Sequence, residues 1–220
     1  MADGDEKLVL KNEVIKKYLS NFDYTPDRES MQYLNLILAN KRIEALNNSI
    51  LEAKHVQFLD LSNNNIVDIS ILAQFPNVVK LNVSKNKVKT ISVFGNDDVF
   101  PSLKWLDVSN NKFPELTGIK CPKLEYLDIG YNKLEKFNEN WTGHPNVKIL
   151  KSIDNKFKNL QCLKDFPKLE ELYLESNVVQ SIVGYETLPK LRILHLRKNR
   201  LEKIEDELPP HEGLTYFNIR

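Results

Sequence analysis

Glycine is scarce in this sequence, with 7 among 220 residues, and cysteine, methionine and tryptophan are scarcer still, with 2 of each. Glycine is the residue that takes φ > 0 without penalty, so its scarcity predicts few left-handed hinges. Cys121 and Cys162 lie in unrelated settings, and neither has a second Cys or a His at zinc-ligand spacing, so no disulfide framework or structural metal is expected. An excess of either charge is also lacking. The 31 basic and 30 acidic side chains leave +1, which excludes the overall basic footprint of non-specific nucleic-acid binding. No run approaches the ~18 apolar residues a membrane span needs, and the acidic opening Met1–Glu6 has no signal or transit character. A cytoplasmic protein with neither membrane nor nucleic acid as partner is expected. With 41% hydrophobic residues the chain has globular rather than disordered composition.

Leucine, with 31 copies, and asparagine, with 24, are what the sequence has in abundance. From Tyr33 onward both fall on a period of about 22 residues reading L-x-x-L-x-L-x-x-N-x-L. The first copy, Tyr33, Leu36, Leu38, Lys41, Ile43, is degenerate; the fourth, Leu103, Leu106, Val108, Asn111, Phe113, is typical. Eight copies run to Leu201, and Leu214, Phe217 and Ile219 open a ninth. Seven copies keep the Asn: Asn64, Asn86, Asn111, Asn132, Asn155, Asn177 and Asn199. The L-x-L segment is a short strand with alternate side chains inward, and the Asn amide offers a donor and an acceptor to backbone groups in the turn after it. No copy can bury its apolar edge alone, so stability comes from stacking neighbours along a solenoid.

The second half of each copy places apolar residues at every third position, as in Ile66, Ile69, Leu72, Phe75 and in Phe157, Leu160, Leu163, Phe166. A period of three is that of 3₁₀ turns. Pro76, Pro101, Pro122, Pro145, Pro167 and Pro189 occupy one slot, expected two residues ahead of each strand, where each fixes its φ and directs the chain into the strand. The third copy carries an insertion, Gly95-Asn96-Asp97-Asp98, expected to bulge on the convex side. Residues 1–30 read as an N-terminal helical cap. Leu10, Val14, Ile15, Tyr18, Leu19 and Phe22 have helical spacing, and Thr25-Pro26-Asp27-Arg28-Glu29 resembles a second helix start. The expected fold is an α/β solenoid over residues 31–220: a horseshoe with a parallel concave β-sheet and a 3₁₀-rich convex side.

Catalysis finds little support. His55, His144, His195 and His211 are scattered over different copies, no Ser or Cys sits in a nucleophile motif, and there is no Gly-rich phosphate loop. Asp97-Asp98 and Glu170-Glu171 read as solvated surface. Neither enzyme activity nor a cofactor is expected.

Binding is better supported, because the register assigns side chains to the concave face. One row is Asn35, Phe58, Lys80, Trp105, Tyr126, Ile149, Glu171, Ile193 and Tyr216; the other is Ile37, Asp60, Asn82, Asp107, Asp128, Lys151, Tyr173, His195 and Asn218. An acidic run thus flanks an aromatic one. Such residues also satisfy strand propensity and can pack on one another across the ladder, but exposed Trp105 and Tyr126 on neighbouring strands favour an interface. The candidate partner-binding residues are Phe58, Asp60, Lys80, Trp105, Asp107, Tyr126, Asp128, Ile149, Glu171, Tyr173, Ile193, His195 and Tyr216. Nine strands at ~4.8 Å spacing give an inner face of about 40 Å, room for a helix of roughly 25 residues, so the expected partner is an extended or helical protein segment. A second chain is expected on the edge of the last strand. Ser152 breaks the inward pattern, and either a strand bulge or an extra apolar patch with Ile149 and Ile153 accounts for it.

Leu188-Pro189-Lys190-Leu191-Arg192-Ile193-Leu194-His195-Leu196-Arg197-Lys198-Asn199-Arg200-Leu201 resembles the repeat of the SDS22-like class of leucine-rich repeat proteins, and the resemblance covers residues 31–220. Within that class the stretch His55-Val56-Gln57-Phe58-Leu59-Asp60-Leu61-Ser62-Asn63-Asn64-Asn65-Ile66 is most similar to the leucine-rich repeat subunits of ciliary radial spokes. The resemblance implies a non-enzymatic scaffold of the cilium or flagellum axoneme that binds protein subunits of a larger assembly. Regulatory subunits of protein phosphatases share the same repeat grammar and supply the alternative.

Overall fold

From the second to the eighth copy the first Leu of each L-x-L segment, with the residue on either side of it, forms a three-residue strand in which that Leu points inward. The computed structural model describes residues 8–25, 28–116, 118–136, 143–160, 163, 165–202 and 211–219. The acidic opening Met1–Glu6, Pro26 and Asp27 of the expected second helix, Cys162 and Arg220 lie outside the described residues. Helix α1, Asn12–Lys17, comes first, then strands β1, Leu19–Tyr24, and β2, Met31–Ile37. The repeats supply β3, Phe58–Asp60; β4, Lys80–Asn82; β5, Trp105–Asp107; and β6, Tyr126–Asp128. They continue with β7, Ile149–Lys151; β8, Glu171–Tyr173; β9, Ile193–His195; and β10, Tyr216–Asn218. The ten strands form one open sheet in sequence order. β2 to β10 are parallel, and β1 is antiparallel to β2.

The cap differs from expectation. Among its described residues only Asn12–Lys17 is helical, burying Ile15. The segment that continues the helical spacing is β1, where Phe22 is exposed rather than packed inward. Arg28 and Glu29 belong to the connection of a β-hairpin and start no helix. The physical reason is the edge of β2: a six-residue strand that satisfies its backbone groups gains more than Asn, Phe, Asp, Tyr and Thr gain in a helix, for which they are poor formers. Tyr33 consequently leaves the core slot assigned to it and is exposed, while Leu34 is buried in its place.

Opposite the sheet, 3₁₀ turns at Asn48–Ala53, Ser70–Gln74, Ser92–Gly95 and Tyr185–Thr187 carry the period-three pattern. Ile66, Ile69, Leu72 and Phe75, and equally Phe157, Leu160, Leu163 and Phe166, are buried. The prolines sit in turns that begin four residues ahead of the paired strands, as with Pro101 before Trp105, rather than two. Asn96, Asp97 and Asp98 of the insertion are exposed, and Asp97 pairs with Lys120 of the next copy at 2.9 Å.

The asparagines close each copy onto its predecessor. Asn111 Nδ2 donates to the carbonyls of Val83 and Val108, and its Oδ1 accepts from Val88 N–H, all at 3.0 to 3.1 Å. Asn64, Asn86, Asn155, Asn177 and Asn199 repeat this pattern, with Oδ1 accepting from Ile43, Ile66, Leu134, Phe157 and Val179 N–H. Ser152 belongs to the same system. It is buried, β7 keeps regular register with no bulge, and its Oγ accepts from Asn155 Nδ2 at 3.2 Å while its carbonyl accepts from Asn177 Nδ2 at 2.8 Å.

The expectation of few left-handed residues fails. The residue before each ladder Asn has positive φ: Asn63 (53°), Lys85 (53°), Asn110 (53°), Tyr131 (57°), Asp154 (52°), Ser176 (56°) and Lys198 (58°). None is glycine. Each costs about 1 kcal/mol against a relaxed backbone, offset in the first six because the N–H is tied to the next copy, as in Lys85 N–H to Ser109 O at 3.0 Å and Tyr131 N–H to Ile153 O at 2.7 Å. Glycine is scarce because the ladder imposes this conformation on other residues.

Candidate protein-binding surface

On β3 to β10 both concave rows are in register, so residues one repeat apart face each other across adjacent strands. Phe58 pairs with Lys80, Lys80 with Trp105, Trp105 with Tyr126, and Tyr126 with Ile149 in the first row. Asp60, Asn82, Asp107, Asp128, Lys151, Tyr173 and His195 follow one another in the second.

Charge and ring contacts run continuously but change rows. Lys80 Nζ lies 5.3 Å from the Phe58 ring centre and 4.5 Å from that of Trp105. Trp105 stacks on Tyr126 at 4.9 Å with planes 10° apart. Lys151 Nζ then bridges Tyr126, at 5.5 Å, and Tyr173, at 5.4 Å. Tyr173 stacks on His195 at 4.7 Å, and His195 meets Tyr216 at 4.9 Å. One ladder therefore crosses from the first row to the second between β6 and β7 and back to the first at Tyr216 of β10, and Ile149, Glu171 and Ile193 take the flanking position in between. Each cation held between two rings contributes about 0.5–1 kcal/mol per ring face. Trp105 and Tyr126 are half-buried by this stacking rather than fully exposed, so cross-strand packing and an open face coexist. Glu171 accepts from Tyr173 Oη at 2.8 Å, and burial with this carboxylate pushes the phenol up to about 12. Glu175 Oε1 lies 3.3 Å from His195 Nδ1.

The acidic positions have a structural duty that the sequence reading missed. Asp60, Asn82, Asp107 and Asp128 each accept, through Oδ1, the N–H two residues on (Ser62, Ser84, Ser109 and Gly130) at 2.9 to 3.0 Å. This side-chain turn closes the strand, and the signal was present as Asp or Asn at one slot in four consecutive copies. Asp128 is perturbed. Burial, opposed by the Gly130 N–H and reinforced by the Asp107 charge, raises its carboxyl to about 6. Tyr126 is likewise held far above its ordinary value by burial and by both carboxylates.

The hairpin adds residues that the row analysis left out. Phe22 pairs with Tyr33 and Tyr24 with Met31 across β1 and β2, on the same face as Asn35 and Ile37. Phe22 is 56% exposed, Tyr24 56%, Met31 45%, Tyr33 44% and Ile37 41%. The only earlier signal for Phe22 was a spacing that read as helical.

Among the described residues no group of three His, Cys, Asp or Glu side chains is placed to hold a metal ion, and no helix is long and apolar enough to cross a membrane. His144 is buried in the slot that Phe75, Phe100 and Phe166 fill elsewhere, and desolvation lowers it to about 4. Cys121 is buried beside it, its thiol pushed up to about 12 by desolvation.

A family model described as leucine-rich repeats (2 copies) matches residues 54–96, 101–142 and 167–210, more than half of the sequence. The chain belongs to the leucine-rich repeat family. The unmatched copy between these segments is the one carrying His144 and Ser152. Leucine-rich repeat-containing protein 23 is similar to this leucine-rich repeat chain. The Bos taurus protein is 24% identical over 170 residues, which is 76% of this chain and 47% of that protein. The Homo sapiens protein is 26% identical over 170 residues with the same two shares, 76% and 47%. The chain thus spans about half the length of the curated relatives it matches. Internalin C2 of Listeria monocytogenes has the same fold, with a TM-score of 0.76 at 20% identity over 94% of this chain and 91% of that one. Leucine-rich repeats are interaction modules whose curved sheets bind other proteins.

Proposed function

We propose that this chain is a non-enzymatic scaffold of the ciliary axoneme, of the radial-spoke type, that holds a segment of a neighbouring protein on its concave face. What supports the reading is the eight-residue ring and cation ladder on an open sheet, in a chain similar to leucine-rich repeat-containing protein 23 over 76% of its length. Aromatic side chains beside charges, rigid and partly desolvated before binding, lose little entropy on contact and make effective interface anchors.

Purification of the tagged protein from ciliated cells, with imaging of the same tag, tests the reading. Axonemal proteins should co-purify and the signal should lie in cilia. A co-purified phosphatase catalytic subunit would favour a phosphatase regulator instead, and a cytosolic or nuclear signal with none in cilia would overturn the axonemal role.

A further inference from the structure

The concave face is not uniform along its length. At its N-terminal end Phe22, Tyr24, Met31, Tyr33 and Ile37 form an apolar patch in which each side chain is more than two-fifths exposed, with Phe22 and Tyr33 in ring contact at 5.1 Å. Isolated exposed apolar residues need no explanation, but a contiguous group on one sheet face marks an interaction site. Asp60 stands on the next strand, paired with Ile37, and Asp107 and Asp128 stand three and four strands beyond β2. Each uses Oδ1 to close its own turn, and Asp128 also accepts from the Tyr126 hydroxyl. The two lysines of the face are already engaged, Lys80 between Phe58 and Trp105 and Lys151 between Tyr126 and Tyr173. The Asp107 charge acts unfavourably on Asp128. The middle of the face therefore sets two carboxylates, Asp107 and Asp128, against the one nearby charge of Lys151, beside stacked rings, which suits an incoming Lys or Arg.

Resting on the concave-face reading above, we infer that the partner segment is bipolar: apolar side chains at one end seat on the β1–β2 hairpin, and Lys or Arg residues at the other lie over Asp107 and Asp128. The distance sets the spacing. From β2 to the Asp107–Asp128 pair is three to four strand steps of ~4.8 Å, or about 14–19 Å. A helical partner covers that in roughly ten to thirteen residues and an extended one in four to six. Acidic segments are repelled at the centre, and a nucleic acid meets the wrong charge.

Selection of a displayed library of random peptides of roughly 16 residues, about 24 Å as helix, on the whole purified chain tests this. Enriched peptides should combine aromatic or aliphatic residues with Lys or Arg at one of the two spacings. Their affinity should fall about ten-fold in D107N/D128N, which keeps the Oδ1 acceptors, and by a similar factor in F22S/Y24S. Binding to the native chain should weaken steeply with added salt, a readout independent of how the variants fold. Peptides that are acidic, or that ignore both variant sets yet are lost with W105A/Y126A, would overturn the bipolar partner and leave the concave site standing. Peptides indifferent to all three sets, or no enrichment, would overturn both.

Discussion

Trp105 and Tyr126 stack almost parallel, 4.9 Å between ring centres and 10° between planes, although they lie on adjacent strands and about 21 residues apart in sequence. The stack joins the Lys80 and Lys151 contacts into one continuous array. Truncating either ring should cost about 1 kcal/mol of stability, and the double variant less than the sum of the two, because the second loss removes a partner already gone. Urea unfolding of the two single variants and the double variant measures this coupling. Strict additivity would show that the rings do not support each other.

Asp128 is held in a setting that disfavours its charge. Its carboxyl titrates at about 6 in the fold, against an ordinary value of 3.8. The folded state therefore keeps its proton longer than the unfolded state, and stability declines as pH rises from about 4 through 6. D128N should raise stability at pH 7 by about 1–2 kcal/mol after allowance for partial exposure, and the gain should vanish below about pH 4. Asn82 occupies the same row and already closes its turn through Oδ1, so the substitution preserves the backbone. Thermal melts at pH 3.5 and 7 decide the matter.

His144 works in the opposite sense. Its imidazole titrates at about 4 when folded and at 6.5 when free. The unfolded chain takes up the proton first, so stability present above pH 6.5 is lost as pH falls towards 4, by about 3 kcal/mol in full. H144F, with the residue found at this slot in Phe100 and Phe166, should flatten the stability profile between those limits. An unchanged profile would assign the acid sensitivity elsewhere.

Asn111 satisfies three buried backbone groups from two copies. N111A should therefore destabilise by about 3–5 kcal/mol, since each orphaned group costs about 1–3 kcal/mol. N199A, at a less buried rung, should cost less. Denaturant midpoints of the two variants make the comparison.

Lys85 at φ 53° offers a backbone test. K85G should be neutral or slightly stabilising, whereas K85V forces a β-branched side chain into the left-handed region and should lie about 2 kcal/mol below the glycine variant. Equal stability would mean that the turn relaxes.

The parts of this molecule that the sequence made legible are those repeated in it. Strand positions, the Asn ladder and both concave rows follow from slots filled many times, so chance fits at one copy are outvoted. The hairpin was not legible because it occurs once, and Leu19 and Phe22 keep helical spacing while their backbone pairs with an open strand edge. The change of rows between Tyr126 and Lys151 depends on where a long side chain leans, which spacing does not encode. The left-handed residues were hidden because the ladder, rather than residue type, selects their conformation.

The Asn rungs also have a direction. Ile43, Ile66 and Leu134 wait for Asn64, Asn86 and Asn155, which lie 20 to 21 residues later in the chain. On a ribosome adding ~5–20 residues per second, each turn stays open for about one to four seconds until the next rung emerges. Growth of the arc is thus coupled to the pace of translation, with one unfinished coil always at the exit end.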